Sequence, residues 1–137
     1  MKIFKHEIAI YGFELTIILF NETKVSSPHI HEYAEFMATV SSKEEVTNEL
    51  IGKAMDGAHN GGDTLYNNLS NKFVVVFYPH TSYNQLLNSI GHEKRHVEDH
   101  IIRDCDIDGM EAAGYLSGYL TQFFMNQDII NFYNLTK

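Results

Sequence analysis

The sequence predicts a small α+β domain, and three observations carry that prediction. Apolar residues alternate through residues 2–20, the period of paired strands. Residues 73–78 read Phe-Val-Val-Val-Phe-Tyr, apolar on both faces as a central strand requires. From Ser82 to about Asn126 the apolar spacing follows the helical period, broken once at residues 104–109. A length of 137 residues suits one domain with a modest core, so residues 1–137 are expected to form a single unit.

The elements follow in order. Residues 2–10 and 13–20 read as strands, with Ile8, Ile10, Phe13, Leu15, Ile17 and Leu19 at alternating positions and Tyr11-Gly12 as the turn. Ser27-Pro28 opens a helix, Ser as N-cap and Pro at the first position, with Ile30, Tyr33 and Met37 on its apolar stripe. Ser42 and Glu45 form a capping box for a second helix, whose Val46, Leu50, Ile51 and Ala54 face the core and which ends at Asp56-Gly57. Residues 57–62 are a Gly-rich loop, and 64–66 a short edge strand. The apolar strand 73–78 stops at Pro79. Ser82 and Gln85 cap a helix from about Tyr83 to Arg103, with Leu86, Ile90, Val97 and Ile101 buried. Residues 104–109 break it, and a last helix runs from near Met110 to about Asn126, where Gly114 and Gly118 are expected to let a neighbouring helix approach closely. The order is β-β-α-α-β-β-α-α, a short mixed or antiparallel sheet packed on the last two helices.

Composition narrows function. Hydrophobic content of 44% marks a folded chain, and a net charge of −8 argues against nucleic acid and against anionic membranes as partners. Cys105, the one cysteine, has no internal partner, and its neighbours Asp104 and Asp106 are expected to raise its thiol pKa. Glu7 and Glu14 interrupt the first apolar run, so no signal peptide is expected, and no stretch is apolar enough to cross a membrane. A cytoplasmic location is the expectation that follows.

The chemistry lies in His92-Glu93-Lys94-Arg95-His96, a His-Glu-x-x-His run inside the Ser82-capped helix. On a helix His92 and His96 share a face and can grip one zinc ion, with Glu93 beside them as general base for a metal-assisted hydrolysis. A catalytic zinc takes three protein ligands and keeps one position for water. Glu111 is the third candidate, because an antiparallel helix pair returns its first turn toward the motif. The same Glu fits a capping pattern with Asp108, which needs no metal. His100 is a rival, but His92, His96 and His100 span two turns and can hardly converge on one tetrahedral ion, so a second-shell role suits it better.

The motif helix followed by Glu111-Ala-Ala-Gly-Tyr-Leu resembles the gluzincin branch of the zincin metallopeptidases. It is more similar still to small zincin-like proteins of phages and mobile elements. The resemblance covers most of the chain in layout and residues 92–120 in detail. It implies a zincin-like fold, zinc at His92, His96 and Glu111, Glu93 as base, a peptide or protein substrate, and strand addition of an extended peptide around residues 64–66. Lys94 and Arg95 stand where zincins carry uncharged residues; either the helix is exposed there or they pair with Glu98 and Asp99. A non-catalytic accessory module with a structural or vestigial metal site is the alternative.

Weaker candidates remain. Tyr115, one turn after Glu111, either reaches the site or packs in the core. His59 in the Gly-rich loop and His80 after the central strand either polarise a substrate or are ordinary surface histidines. Residues 104–109 match the first half of a calcium loop, but Tyr115 stands where the bidentate Glu belongs. The Gly-rich loop lacks the Lys and Ser/Thr of a phosphate cradle.

Overall fold

The computed structural model describes residues 1–22, 26–40, 44–67 and 69–135. Its elements are β1 (Lys2–Ile8), β2 (Phe13–Leu19), α1 (Ser27–Val40), α2 (Glu44–Met55), β3 (Gly62–Asn67), β4 (Lys72–Phe77), α3 (Tyr83–Asp104), α4 (Met110–Phe124) and α5 (Gln127–Tyr133). This is the α+β architecture the sequence predicts. Ser42, half of the predicted capping box of α2, lies outside the described residues.

The sheet has the order β1-β2-β4-β3. β1 pairs antiparallel with β2, β2 parallel with β4, and β3 antiparallel with β4. A turn of 3-10 helix at Ala9–Tyr11 joins β1 to β2, and Gly12 closes it at φ +75°, a conformation glycine adopts without steric cost.

Strand alternation divides the core in two. Leu15, Ile17, Leu19, Phe73, Val75 and Phe77 point to the face covered by α3, α4 and α5. Ile18, Val74, Val76 and Tyr78 point to the other face, where α1 and α2 bring Tyr33, Met37, Val40, Leu50 and Ala54. β2 and β4 are thus buried on both sides, which is why their sequences carry so few polar residues.

Three expectations need correction. The chain ends in a fifth helix, α5: Asn126 breaks α4, and its side chain accepts a hydrogen bond from the Asp128 amide at 2.8 Å, capping the new helix. α5 is held against the sheet by Tyr133, whose hydroxyl donates to the Phe77 carbonyl at 3.0 Å. Gly114 and Gly118 do not serve a close helix crossing, since a Cβ added at either meets nothing within 4 Å. The predicted Asp108 cap does not form: Gly109 holds the N-cap position of α4 at φ +90° with no side-chain cap. Among the described residues, no helix is long and apolar enough to cross a membrane.

Candidate metal centre

α3 begins where the sequence places it. Ser82 Oγ accepts from the Gln85 amide at 3.2 Å, and Leu86, Ile90, Val97 and Ile101 are buried against the sheet. That stripe fixes the rotation of the helix and hence of the motif. His92 and His96 fall on an exposed flank, while Glu93 falls at the core's edge and is only 2% exposed.

The two imidazoles converge. Their Nε2 atoms are 3.1 Å apart and their rings stand nearly perpendicular. Two nitrogen ligands at ~2.05 Å from one tetrahedral zinc would stand about 3.3 Å apart, so the pair has the spacing of a shared ion. A carboxylate oxygen of Glu93 completes the group: its ligand atom and the two nitrogens all lie within 4.8 Å of one another. Glu93 Oε2 is buried and, among the described residues, has no hydrogen-bond partner. A buried polar atom without a partner is costly, and a metal or a metal-activated water is the kind of group that satisfies it. The nitrogen and oxygen donors suit zinc.

Burial pushes the Glu93 carboxyl above the usual carboxylate range; positive charge on His92 and His96 opposes this, Asp63 adds to it, and the Thr64 hydroxyl opposes it. A base with a raised pKa is better matched to proton transfer near neutral pH. Asp63 is itself held by Lys53 Nζ at 3.0 Å and by the Tyr78 hydroxyl at 2.8 Å.

A cleft of about 460 Å³ lies between α3 and the edge strand β3, with Gly62, Thr64 and Tyr66 on one wall and His92, His96 and His100 on the other. Gly62 is the residue that lets the walls meet. A Cβ there would stand 2.6 Å from the Val76 carbonyl oxygen and 3.0 Å from Glu93 Cγ. Sequence reading assigned Gly62 to a flexible loop; its signal was position, the last glycine before a predicted edge strand.

The charges inside the motif pair locally. Lys94 Nζ bonds Glu98 and, at 2.9 Å, Ser117 Oγ on α4, and Arg95 Nε bonds Asp99 at 3.0 Å. Two residues of helix rotate a side chain by about 200°, so Lys94 faces away from both histidines.

The other candidates are dispersed. Glu111 is exposed on the first turn of α4, outside the His92-Glu93-His96 group, and accepts from the Tyr115 hydroxyl at 3.4 Å. The Lys94–Ser117 contact sets the register of the helix pair and puts Glu111 level with about residue 100, a turn beyond His96. Tyr115 is exposed, so its core reading is not met. His59 is exposed, with Nδ1 3.3 Å from the Gly57 carbonyl, and lies outside the cleft walls. His80 is no surface histidine. It is 6% exposed, with Nδ1 2.6 Å from the Tyr78 carbonyl and Nε2 2.7 Å from Ser89 Oγ, so it braces the exit of β4 against α3 and does not face the cleft. His100 lines the cleft with both ring nitrogens engaged, Nδ1 by Arg103 at 3.0 Å and Nε2 by Asp104 at 3.4 Å.

Compared with known protein families, with curated proteins and with solved structures, the chain matches none.

Proposed function

We propose that this domain binds one zinc ion through His92 and His96 and hydrolyses peptide bonds, with Glu93 as general base and Glu111 as the third protein ligand. The observation that carries the reading is the convergence of two imidazole nitrogens, 3.1 Å apart, beside a buried carboxylate at the wall of an open cleft. Bound zinc would supply Lewis acidity toward a carbonyl and bring the pKa of a water near neutrality.

The chain's own residues do the rest. Glu93, with its raised pKa, takes the proton from the attacking water and returns it to the leaving amine. β3 is the edge of the sheet, and its free side offers backbone groups to an extended substrate lying in the cleft. Lys94 and Arg95 leave the metal-facing flank undisturbed because each is paired within its own helix. Glu111 lies on the α4 side of α3, the side that Lys94 faces, so reaching the histidines would take a shift of the first turn of α4 and not a side-chain rotation alone. The substrate is a peptide or protein, and the setting the cytoplasm, where a lone cysteine stays reduced.

One observation favours a second reading, a structural metal staple in a non-catalytic module: Glu93 is close enough to both histidines to be a ligand itself. Glu93→Gln separates the two. A base mutated to Gln leaves about one zinc per chain bound and abolishes cleavage of a peptide library; a ligand mutated to Gln loses the zinc. Wild-type protein that takes up no zinc after reconstitution overturns both.

A further inference from the structure

The cleft extends well past the histidines. β3 and α3 run along it in the same direction, for Gly62 lies beside Glu93 and the Tyr66 ring lies 3.7 Å from that of His100. One end holds His92, Glu93 and His96; the other holds Tyr66, His100 and Arg103.

Two of the three carboxylates on the walls are cancelled, and the third, Glu93, is buried at the opposite end from Arg103. Asp63 is matched by Lys53 and Asp99 by Arg95. Arg103 is different. Among the described residues it has no carboxylate within ion-pair distance, and its one hydrogen bond goes from Nη2 to His100 Nδ1 at 3.0 Å. An Arg N–H can be accepted only by an unprotonated imidazole nitrogen, so the ring gives Arg103 direction without neutralising it. The ring is held in turn: its Nε2 is 3.4 Å from Asp104 Oδ2, and Asp104 also accepts from the Tyr66 hydroxyl at 3.1 Å. A basic residue in the last turn complements the helix dipole wherever its side chain lies. What singles out Arg103 is an oriented guanidinium, with most of its donors free, at the wall of a cleft.

We propose that Arg103 forms a carboxylate-recognition subsite at the far end of the cleft, selecting peptides that carry a carboxylate about three residues from the bond lying beside His92 and His96. The spacing follows from the helix: the seven residues from His96 to Arg103 rise about 10.5 Å, the length of roughly three residues of extended chain. The guanidinium fork matches a carboxylate bidentately. Two sources fit, an acidic side chain or a terminal carboxylate. The subsite rests on the peptide-binding reading of the cleft but not on the metal.

The test uses metal-free wild-type chain and fluorescently labelled, alanine-based decapeptides, read by fluorescence anisotropy. One peptide carries a single Glu and an amidated C-terminus, a second has Gln in its place, and a third is the Gln peptide with a free C-terminus. The Glu peptide or the free acid should bind at least tenfold more tightly than the Gln amide, and whichever gains identifies the source. Arg103→Gln should erase the preference, Arg103→Lys should keep part of it, and Arg103→Glu should shift it toward a Lys peptide. Equal binding of all three peptides, no binding at all, or a preference unchanged in Arg103→Gln overturns the subsite. If the preference is present and zinc-loaded protein cleaves none of the peptides, hydrolysis fails while the subsite stands.

Discussion

Gly62 and Glu93 touch because one of them has no side chain: a Cβ on Gly62 would stand 3.0 Å from Glu93 Cγ, with the Val76 carbonyl oxygen at 2.6 Å behind it. The edge strand and the motif helix therefore meet at the carboxylate on which the proposed chemistry depends. Gly62→Ala should cost about 1–3 kcal/mol, because the backbone oxygen cannot yield as a flexible side chain would. Chemical denaturation measures the loss, and reduced peptide cleavage should accompany it as Glu93 is displaced. A variant with wild-type stability and activity would show that the strand can move away at no cost.

Glu111 decides the ligand count. Glu111→Gln should weaken zinc by about tenfold or more, since even outer hydrogen-bond partners of a metal site cost about that much when removed. Competition with a chromophoric chelator gives the affinity. An unchanged affinity would assign the ligand set to His92, Glu93 and His96 alone.

The Lys94–Glu98 pair is largely shielded from water and is joined by Ser117. Glu98→Gln strands the ammonium and should cost about 3 kcal/mol, whereas the double change Lys94→Met with Glu98→Leu should fall near the wild type. Zinc stoichiometry should stay the same in both, since Lys94 points away from the histidines. Thermal melts combined with metal analysis check both statements.

His80 should make the fold acid-sensitive. Burial lowers its pKa, against the raising effect of the Tyr78 carbonyl. The unfolded chain then binds a proton that the folded chain resists, so stability is fully present above about pH 6.5 and is lost as pH falls toward the lowered value. His6 and His100 are lowered by burial too and add the same sign, while the raised Glu93 opposes it. His80→Gln should reduce stability by about 1–3 kcal/mol at pH 7.5 and flatten the decline between pH 7 and 5. A slope identical to that of the wild type would remove His80 as its source.

Local features were legible in the sequence. The alternation of Leu15, Ile17 and Leu19, the doubly apolar run at Phe73–Tyr78 and the Ser82–Gln85 cap each depend on residues a few positions apart, and each has its predicted structure. The motif's two histidines share a face because helix geometry alone requires it. Tertiary facts were not legible. Gly62 matters only because Val76 and Glu93 arrive from elsewhere in the chain, and buried His80 is satisfied only because the Ser89 hydroxyl donates to its Nε2 while its Nδ1 donates to the Tyr78 carbonyl. Arg103 looks like any basic residue near a helix end until it proves, among the described residues, to have no carboxylate within ion-pair distance. α5 was hidden for another reason: Asn126 is both a breaker and a cap, and sequence reading took only the first meaning.

The parallel pairing of β2 with β4 has a consequence for how the chain is made. Ile17 and Val75 are register partners, yet the whole of α1, α2 and β3 is synthesised between them. On a ribosome adding roughly 5–20 residues per second, the hairpin β1–β2 waits several seconds for its central neighbour. During that interval β2 presents an unpaired apolar edge, the kind of surface that holdase chaperones bind and that drives association between nascent chains. Closing such a distant pairing is slow by its topology, so the joining of β2 to β4 should limit the rate of folding.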